Sequence, residues 1–460
     1  MSSPMTTNSS VTEIQDTSLA TAPLLSLFWR YTIPTITAMV ISGIYVTIDG
    51  IFVGHFLGEQ GLAGVMLAYP VGSVLYAVGA MIGMGASSLV SLNMGRGDLQ
   101  SARGIVGNAL LLVILAALII GSAGLLYGGH MLRWLGAESE IYSAGMEYLR
   151  WYFMLGSAAL LSMSFSALLR NDGQPKRVTY IMVLGGTLNV IMDYLFLAVF
   201  PMGLAGVGLA TMLSQVVTGG LCLSHFCSRR SQLRLTWAAL RPKLTLLLQI
   251  LRLGTSSLLM YLYLSVVLAF HNKAFMSVGS ALHVAAYGIV SYAEAFFYLI
   301  FEGIALGIQP ITSFNAGAGL EERVRKIRNL GLGITAGLGI SGMIALYLFP
   351  QYVAFMFAGD NPGLTKEAVN GIYRYFWGLP MEGLLLVGAT YFQSVNKPVI
   401  ASTLTGGKLL LIGGFLFVFA RWWGVNGVWM ALPACSTLLC IWMLWQMKNE
   451  NRHPARGMLE

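Results

Sequence analysis

From Leu24 onward the chain is a succession of long apolar runs separated by short breaks rich in charged, glycine or proline residues. A run of about twenty apolar residues, rising 1.5 Å per residue, is the length an α-helix needs to cross roughly 30 Å of hydrocarbon. The breaks divide the sequence into twelve predicted helices, beginning near residues 25, 61, 102, 141, 177, 203, 246, 281, 328, 367, 399 and 424. A secretory leader would be one short apolar run, so the recurrence of such runs excludes that reading. The first 24 residues are polar and Ser/Thr-rich and are expected to form a disordered tail.

The second half of the pattern repeats the first. The segment GASSLVSLNMGRGDLQSAR from Gly85 aligns without gaps, 222 residues later, with GIQPITSFNAGAGLEERVR from Gly307. Asn93, Gly95, Gly97 and Arg103 meet Asn315, Gly317, Gly319 and Arg325. Pro175 after NDGQ faces Pro398 after SVNK, and GLAGVGLA from Gly203 faces GVNGVWMA from Gly424. Six helices per repeat give both halves the same orientation, and parallel repeats are related by an axis along the membrane normal. The fold class expected is therefore an all-α membrane protein of twelve transmembrane helices in two six-helix lobes related by a pseudo-two-fold axis. Residues 25–226 form the N-lobe, 227–245 a basic linker, 246–447 the C-lobe, and 1–24 and 448–460 the tails.

Composition agrees with a membrane solvent. Of 460 residues, 56% are hydrophobic and 10% charged, against about a quarter charged in soluble domains. The net charge of +8 could suggest nucleic acid, but its distribution indicates orientation instead. With the N-terminus cytoplasmic, eighteen basic residues fall in inner loops and the C-tail, and only Arg133, Lys273, Lys366 and Arg421 in outer loops. That bias puts both termini in the cytoplasm. The stretch Cys227–Lys243 carries Arg229, Arg230, Arg234, Arg241 and Lys243 and no acidic residue, which marks the linker. The cysteines Cys222, Cys227, Cys435 and Cys440 lie in apolar segments without metal-ligand spacing and are read as packing residues.

Carboxylates at membrane depth are costly and need a partner or a function. Asp49, Asp193, Glu294, Glu302 and Glu382 fall within predicted spans. The helical rise puts Asp193 roughly 10 Å, and Thr211 about 12 Å, below the outer surface, with Asp49 at similar depth. Asn189 stands one turn before Asp193, on the same face. Asp49, Asn189, Asp193 and Thr211 can therefore converge as an oxygen-rich cluster able to hold Na⁺, or a proton shared between the two carboxylates. The alternative is that they serve as hydrogen-bonding glue between helices. The repeat puts His271 and Phe415 opposite Asp49 and Asp193, so the second half cannot reproduce the cluster. There, Glu294, Glu302 and Glu382 are expected either to face a central cavity and attract organic cations or to make satisfied bundle contacts. His271 is expected at a solvated helix end.

Aromatic residues, among them Tyr148, Tyr152 and Phe297, suit flat lipophilic cations through stacking and cation–π attraction, although aromatic belts are also ordinary at membrane interfaces. Tyr152, Glu294, Phe297, Glu302 and Glu382 are the candidates for a substrate pocket. No P-loop and no Ser/His/Asp set on an aqueous loop is present, so no enzyme activity and no cofactor beyond a coupling ion is expected.

Six motifs carry a family resemblance: IDGIFVGHFLG, LRNDGQPK, LNVIMDYLFL, GVGLAT, GIQPITSFNAGAG and YFQSVNKP. With them the chain resembles the multidrug and toxic compound extrusion (MATE) family from about residue 24 to 447, and the last two motifs resemble its DNA-damage-inducible and staphylococcal exporter branch. The resemblance implies an N-lobe cation site whose positions here are Asp49, Asn189, Asp193 and Thr211. It implies a bacterial inner-membrane antiporter exporting lipophilic or cationic organic compounds in exchange for H⁺ or Na⁺ by alternating access; a monomer with no nucleic-acid partner is expected. Some relatives add an acidic residue in the seventh helix; this chain has none there, and offers Glu382 rather than aspartate in the tenth. The alternative, a flippase for an amphipathic or lipid-linked substrate, predicts a wide basic cavity, whereas Lys408 is the clearest basic residue at depth. Short loops disfavour a membrane enzyme or receptor, and the two-lobed repeat disfavours a channel.

Overall fold

The computed structural model describes residues 18–134, 139–358 and 361–452, and its regular elements there are all helical. A first long helix is broken at Gly58, whose backbone (φ 63°, ψ −157°) leaves the helical region, into α1 (Leu24–Gly58) and α2 (Gln60–Gly95). There follow α3 (Leu99–Trp134), α4 (Ser139–Asn171), α5 (Pro175–Tyr194, extended by a π turn Leu195–Val199) and α6 (Gly203–Cys227). The second half comprises α7 (Leu244–Val278), α8 (Ala281–Gly317), α9 (Glu321–Leu348), the short α10 (Pro350–Ala358), α11 (Pro362–Tyr375), α12 (Leu379–Ser394) and α13 (Pro398–Arg452).

Among the described residues, ten helices are long and apolar enough to cross a membrane, so the protein is an all-helical, multi-pass membrane protein. The difference from twelve predicted starts has two local causes. α11 and α12 are 14 and 16 residues long, separated by a 3-10 turn at Phe376–Gly378 ahead of Pro380. α13 runs for 55 residues and departs from helical geometry only at Gly424 (φ 56°, ψ −136°), where the sequence predicts a separate helix.

The repeat is visible in the turns. Asp98 N–H donates to Asn93 O and Leu320 N–H to Asn315 O, both at 2.9 Å, around Gly97 and Gly319 in the left-handed region (φ 80° and 71°). The glycines are needed because a side chain at such φ is strained. Both asparagines fold back in the same way, Asn93 onto Leu89 O and Asn315 onto Ile311 O, each at 2.8 Å.

The first six helices pack mainly among themselves through α1, α2, α4, α5 and α6, and the later ones through α7, α8, α12 and α13, with α1 and α2 crossing α8 between the halves. That crossing is tight because it is made of glycine. A Cβ on Gly95 would stand 2.1 Å from Phe314 O, and one on Gly317 would stand 2.0 Å from Leu92 O. Beside it, Gln309 accepts from Asn171 Nδ2 (3.0 Å) and donates to Ser88 (3.3 Å) and Ser313 (3.1 Å), so a buried polar seam joins the halves. The seam lies toward the bundle end that carries the connection 228–243 and Glu450. At this linker end Arg103 Nε donates to Gln232 O (2.8 Å), and Asn108 Oδ1 accepts from Lys243 N–H (2.9 Å).

Some expectations are corrected. The described part of the polar leader is ordered: Ser18–Thr21 is a helical turn, Leu19 is buried, and its carbonyl accepts from Asn315 (3.1 Å) and Arg323 (3.2 Å). Residues 1–17 and 453–460, the remainder of the expected tails, lie outside the described residues. Cys227 is exposed, unlike the buried Cys222, Cys435 and Cys440. His271 is fully buried and stacks on Tyr287 with ring centroids 4.8 Å apart, because α7 continues to Val278 and keeps it inside the bundle.

Candidate ion and substrate sites

α5 carries Asn189 and Asp193 on one face, α6 brings Thr211 alongside, and α1 supplies Asp49. Asn189 Nδ2 donates to Thr211 Oγ1 at 3.5 Å, and Thr211 Oγ1 donates to Val207 O at 3.0 Å. The carboxyl groups of Asp49 and Asp193 lie near enough to interact with each other. The four residues proposed from depth and spacing thus stand together. Their unmet valence is the chemically informative part. Asp49 Oδ1, Asn189 Oδ1 and both carboxylate oxygens of Asp193 are buried without a protein donor, and Asp193 has no solvent exposure. Neither carboxylate has an ion-pair partner among the described residues.

Converging acceptors without donors are what a desolvated cation requires, and a shared proton would serve the facing carboxyls equally. Oxygen ligands suit Na⁺, and no group of three His, Cys, Asp or Glu side chains able to hold a metal occurs among the described residues. Phenols complete the surroundings. Tyr148 and Tyr152, one turn apart on α4, share a hydroxyl contact of 2.5 Å. Tyr152 also lies near Thr211 and Tyr76, and Tyr45 lies near Asp49 one turn earlier on α1. Tyr152 therefore belongs beside the ion candidates. Tyr45 and Tyr76 escape a sequence reading, although Tyr45 four residues before Asp49 is a usable signal.

The second half holds a different arrangement. Glu382 of α12 accepts hydrogen bonds from Lys408 Nζ and Ser436 Oγ of α13. Lys408 Nζ also sits 4.0 Å from the centre of the Tyr263 ring. Glu382, Lys408 and Tyr263 line a narrow cleft with free space of about 30 Å³, and Met260, Tyr298 and Thr405 are among its other walls. Glu382 also borders an adjoining space of about 10 Å³ next to Tyr375. Glu294 accepts from Tyr375 Oη at 2.5 Å and feels the charges of Glu382 and Lys408.

Glu302 does not join them. It is buried and accepts from Tyr261 Oη of α7 at 2.5 Å, with the buried Arg170 of α4 nearby. Eight residues turn the helix about 80° beyond two full circles, so Glu294 and Glu302 look toward different neighbours. Phe297 packs against Gly342 of α9 rather than into the cleft. The NDGQ motif has a structural account: buried His225 of α6 bonds Asp172 Oδ2 (2.6 Å) and Arg177 (2.8 Å), tying α4, α5 and α6 together at the linker end.

Comparison with known proteins agrees with this architecture. The MatE family model matches residues 34–195 and 256–416, two copies starting 222 residues apart. The probable multidrug resistance protein YoeA of Bacillus subtilis (strain 168) is 22% identical over 461 residues, covering 93% of this chain and 96% of that protein. The multidrug export protein MepA of Staphylococcus aureus (strain MRSA252) is 21% identical, covering 91% and 92%. Among solved structures, the outward-facing conformation of a multidrug resistance MATE family transporter of the MOP superfamily superposes with a TM-score of 0.89 at 23% identity, covering 95% of this chain and 98% of that one. A MOP superfamily transporter from Pyrococcus furiosus gives 0.88 at 23%, covering 94% and 97%. With the family model covering well over half of its length in two repeated segments, the chain belongs to the MatE family and is a MATE transporter, not an enzyme.

Proposed function

We propose that this protein is a secondary active antiporter of the cytoplasmic membrane that exports lipophilic organic cations in exchange for H⁺ or Na⁺. The observation that carries the reading is the Asp49–Asn189–Asp193–Thr211 cluster, whose buried acceptors lack donors and counter-charges among the described residues. An ion entering there removes the mutual repulsion of two carboxylates, so its binding has a large differential energy between states. That difference is what a coupling ion must supply. The names of the YoeA and MepA relatives support drug export as the transported class.

The working unit in this reading is twelve spans in two six-helix lobes, residues 25–226 and 246–447, about a pseudo-two-fold axis. Gly58 and Gly424 separate spans within continuous helices, and α11 with α12 makes one interrupted span. Both termini and the 227–245 linker are cytoplasmic. The glycine crossing of α2 and α8 and the Gln309 seam close the cytoplasmic side, and the lobes rock about it to alternate access. The protein acts as a monomer.

The test is efflux of ethidium from vesicles with the Na⁺ and pH gradients collapsed one at a time. Antiport predicts that one gradient drives uphill efflux and that the Asp49→Asn, Asp193→Asn double variant abolishes it. Undiminished efflux by that variant refutes the coupling role.

A further inference from the structure

The connection between the halves, residues 228–243, is folded onto the first half. Leu233 and Ala239 are buried, Leu235 N–H donates to Phe226 O (2.8 Å), and the segment lies along the first turns of α3. There Arg103 Nε donates to Gln232 O (2.8 Å), Asn108 Nδ2 donates to Arg241 O (3.2 Å), and a Cβ on Gly107 would stand 2.0 Å from Ala239 O. These contacts fix its depth. α3 has 36 residues, about 54 Å of helix against roughly 30 Å of hydrocarbon, so about 12 Å at each end lies at headgroup level. Residues 103–108 stand about 6 to 14 Å along the axis from Leu99, and the connection docked on them lies at the membrane interface. Its outward side is basic and aromatic. Arg229, Arg230, Arg234, Arg241 and Lys243 are all exposed, and none of them is in an ion pair among the described residues, although Asp98 is in electrostatic range of Lys243. Trp237 is 91% exposed to anything other than protein. An indole at this depth belongs to the interfacial zone, where lipid covers its ring and its N–H stays hydrated.

We propose that this segment is a docking surface for the headgroups of anionic phospholipids, with Trp237 as its interfacial anchor and the five basic side chains as its phosphate contacts. Clusters of about four to eight basic residues beside a membrane span attract anionic lipid in this way. A second copy of the chain would present the same positive charge and be repelled, and a soluble polyanion would leave the indole in water. Because backbone contacts hold the segment on α3, the basic groups are displayed from a fixed frame, and the bound lipid travels with the first half. The proposal goes beyond the antiport reading and rests on it only for the cytoplasmic placement of the segment, which sets the leaflet.

The test compares phosphatidylglycerol with phosphatidylcholine, their binding to the detergent-purified full-length protein counted by native mass spectrometry. The unaltered protein is expected to bind phosphatidylglycerol at least about tenfold more tightly. The variant Arg229→Gln, Arg230→Gln, Arg234→Gln, Arg241→Gln should lose at least about tenfold of that affinity, since each basic residue beside an anionic surface contributes roughly fivefold, and should bind phosphatidylcholine as before. Arg325→Gln with Lys326→Gln, exposed residues of α9, is the control and should change neither. In nanodiscs, the tryptophan emission lost in Trp237→Phe should be quenched by lipids brominated near the glycerol backbone. Equal affinity for the two lipids, undiminished phosphatidylglycerol binding in the quadruple variant, or an equal loss in the control overturns the proposal. Should the quadruple variant fail to fold, the quenching decides, and a Trp237 emission untouched by brominated lipid overturns it. Detergent and nanodiscs offer the same lipids to both ends of the protein, so these results do not depend on antiport or orientation. Labelling of the exposed Cys227 by an impermeant maleimide on intact cells would sink the cytoplasmic placement and leave the lipid result standing.

Discussion

Replacing Asp193 by asparagine keeps its shape and removes one of two facing carboxylates, and the consequences have opposite signs with and without the ion. Two carboxylates about 4 Å apart repel by about 4 kcal/mol at an effective dielectric of 20. Because both Asp193 oxygens are buried without donors, the native protein carries that repulsion, or a proton, whenever the coupling ion is absent. Asp193→Asn should therefore raise the melting temperature in ion-free, alkaline buffer. It should also abolish the response to the ion. In the native protein, saturation at a hundred times Kd contributes about 2.7 kcal/mol by linkage, which at about 2 to 4 °C per kcal/mol in domains of a few hundred residues is a rise of several degrees. The assay is a thermal melt of detergent-purified protein, scanned separately against NaCl at constant ionic strength and against pH. The native melting temperature should climb either as NaCl rises or as pH falls, while the variant stays flat and starts higher. A variant that starts lower than native, or that keeps the native response, refutes the claim that these carboxylates form the ion site.

Two further outcomes test the frame around the site. Gly317→Val should lower the melting temperature substantially, because its Cβ would stand 2.0 Å from Leu92 O and overpacking of this kind costs about 1–3 kcal/mol or more. Gly104→Ala, where a Cβ meets nothing within 4 Å, is the control and should be neutral or slightly stabilising. Asp98 accepts from Ser101 N–H at 2.9 Å at the start of α3, and bonds from Ser101 hold its carboxyl below the ordinary aspartate range. Its cap contribution, about 1 kcal/mol, is present above the ordinary aspartate pKa and is lost as pH falls through the lowered value. Asp98→Ala should remove it, so the difference in melting temperature between native and variant should shrink in strong acid.

The ion candidates were legible because depth and helical spacing are one-dimensional quantities. Asn189 and Asp193 share a face by counting, and Thr211 and Asp49 reach the same level by counting. The second half was less legible because partner choice is not one-dimensional. Glu294 finds Tyr375, Glu302 finds Tyr261, and Glu382 finds Lys408 and Ser436, each on another helix. His271 was misread as a helix-end residue for a related reason, since only the stacking of Tyr287 across from α7 shows that it is interior.

What sequence alone determined is what the bilayer imposes on any chain: a series of apolar helices of spanning length, a repeat of 222 residues, and rare carboxylates whose burial demands compensation. Tertiary structure decided which of those carboxylates remain uncompensated. Glu382 and Glu302 are satisfied by side chains from other helices, while Asp49 and Asp193 lie near each other and pair with no cationic side chain among the described residues. The physical reason is that spacing along a helix sets a side chain's height and direction, whereas the free energy of a buried charge depends on the groups facing it, and those are fixed only when the helices pack.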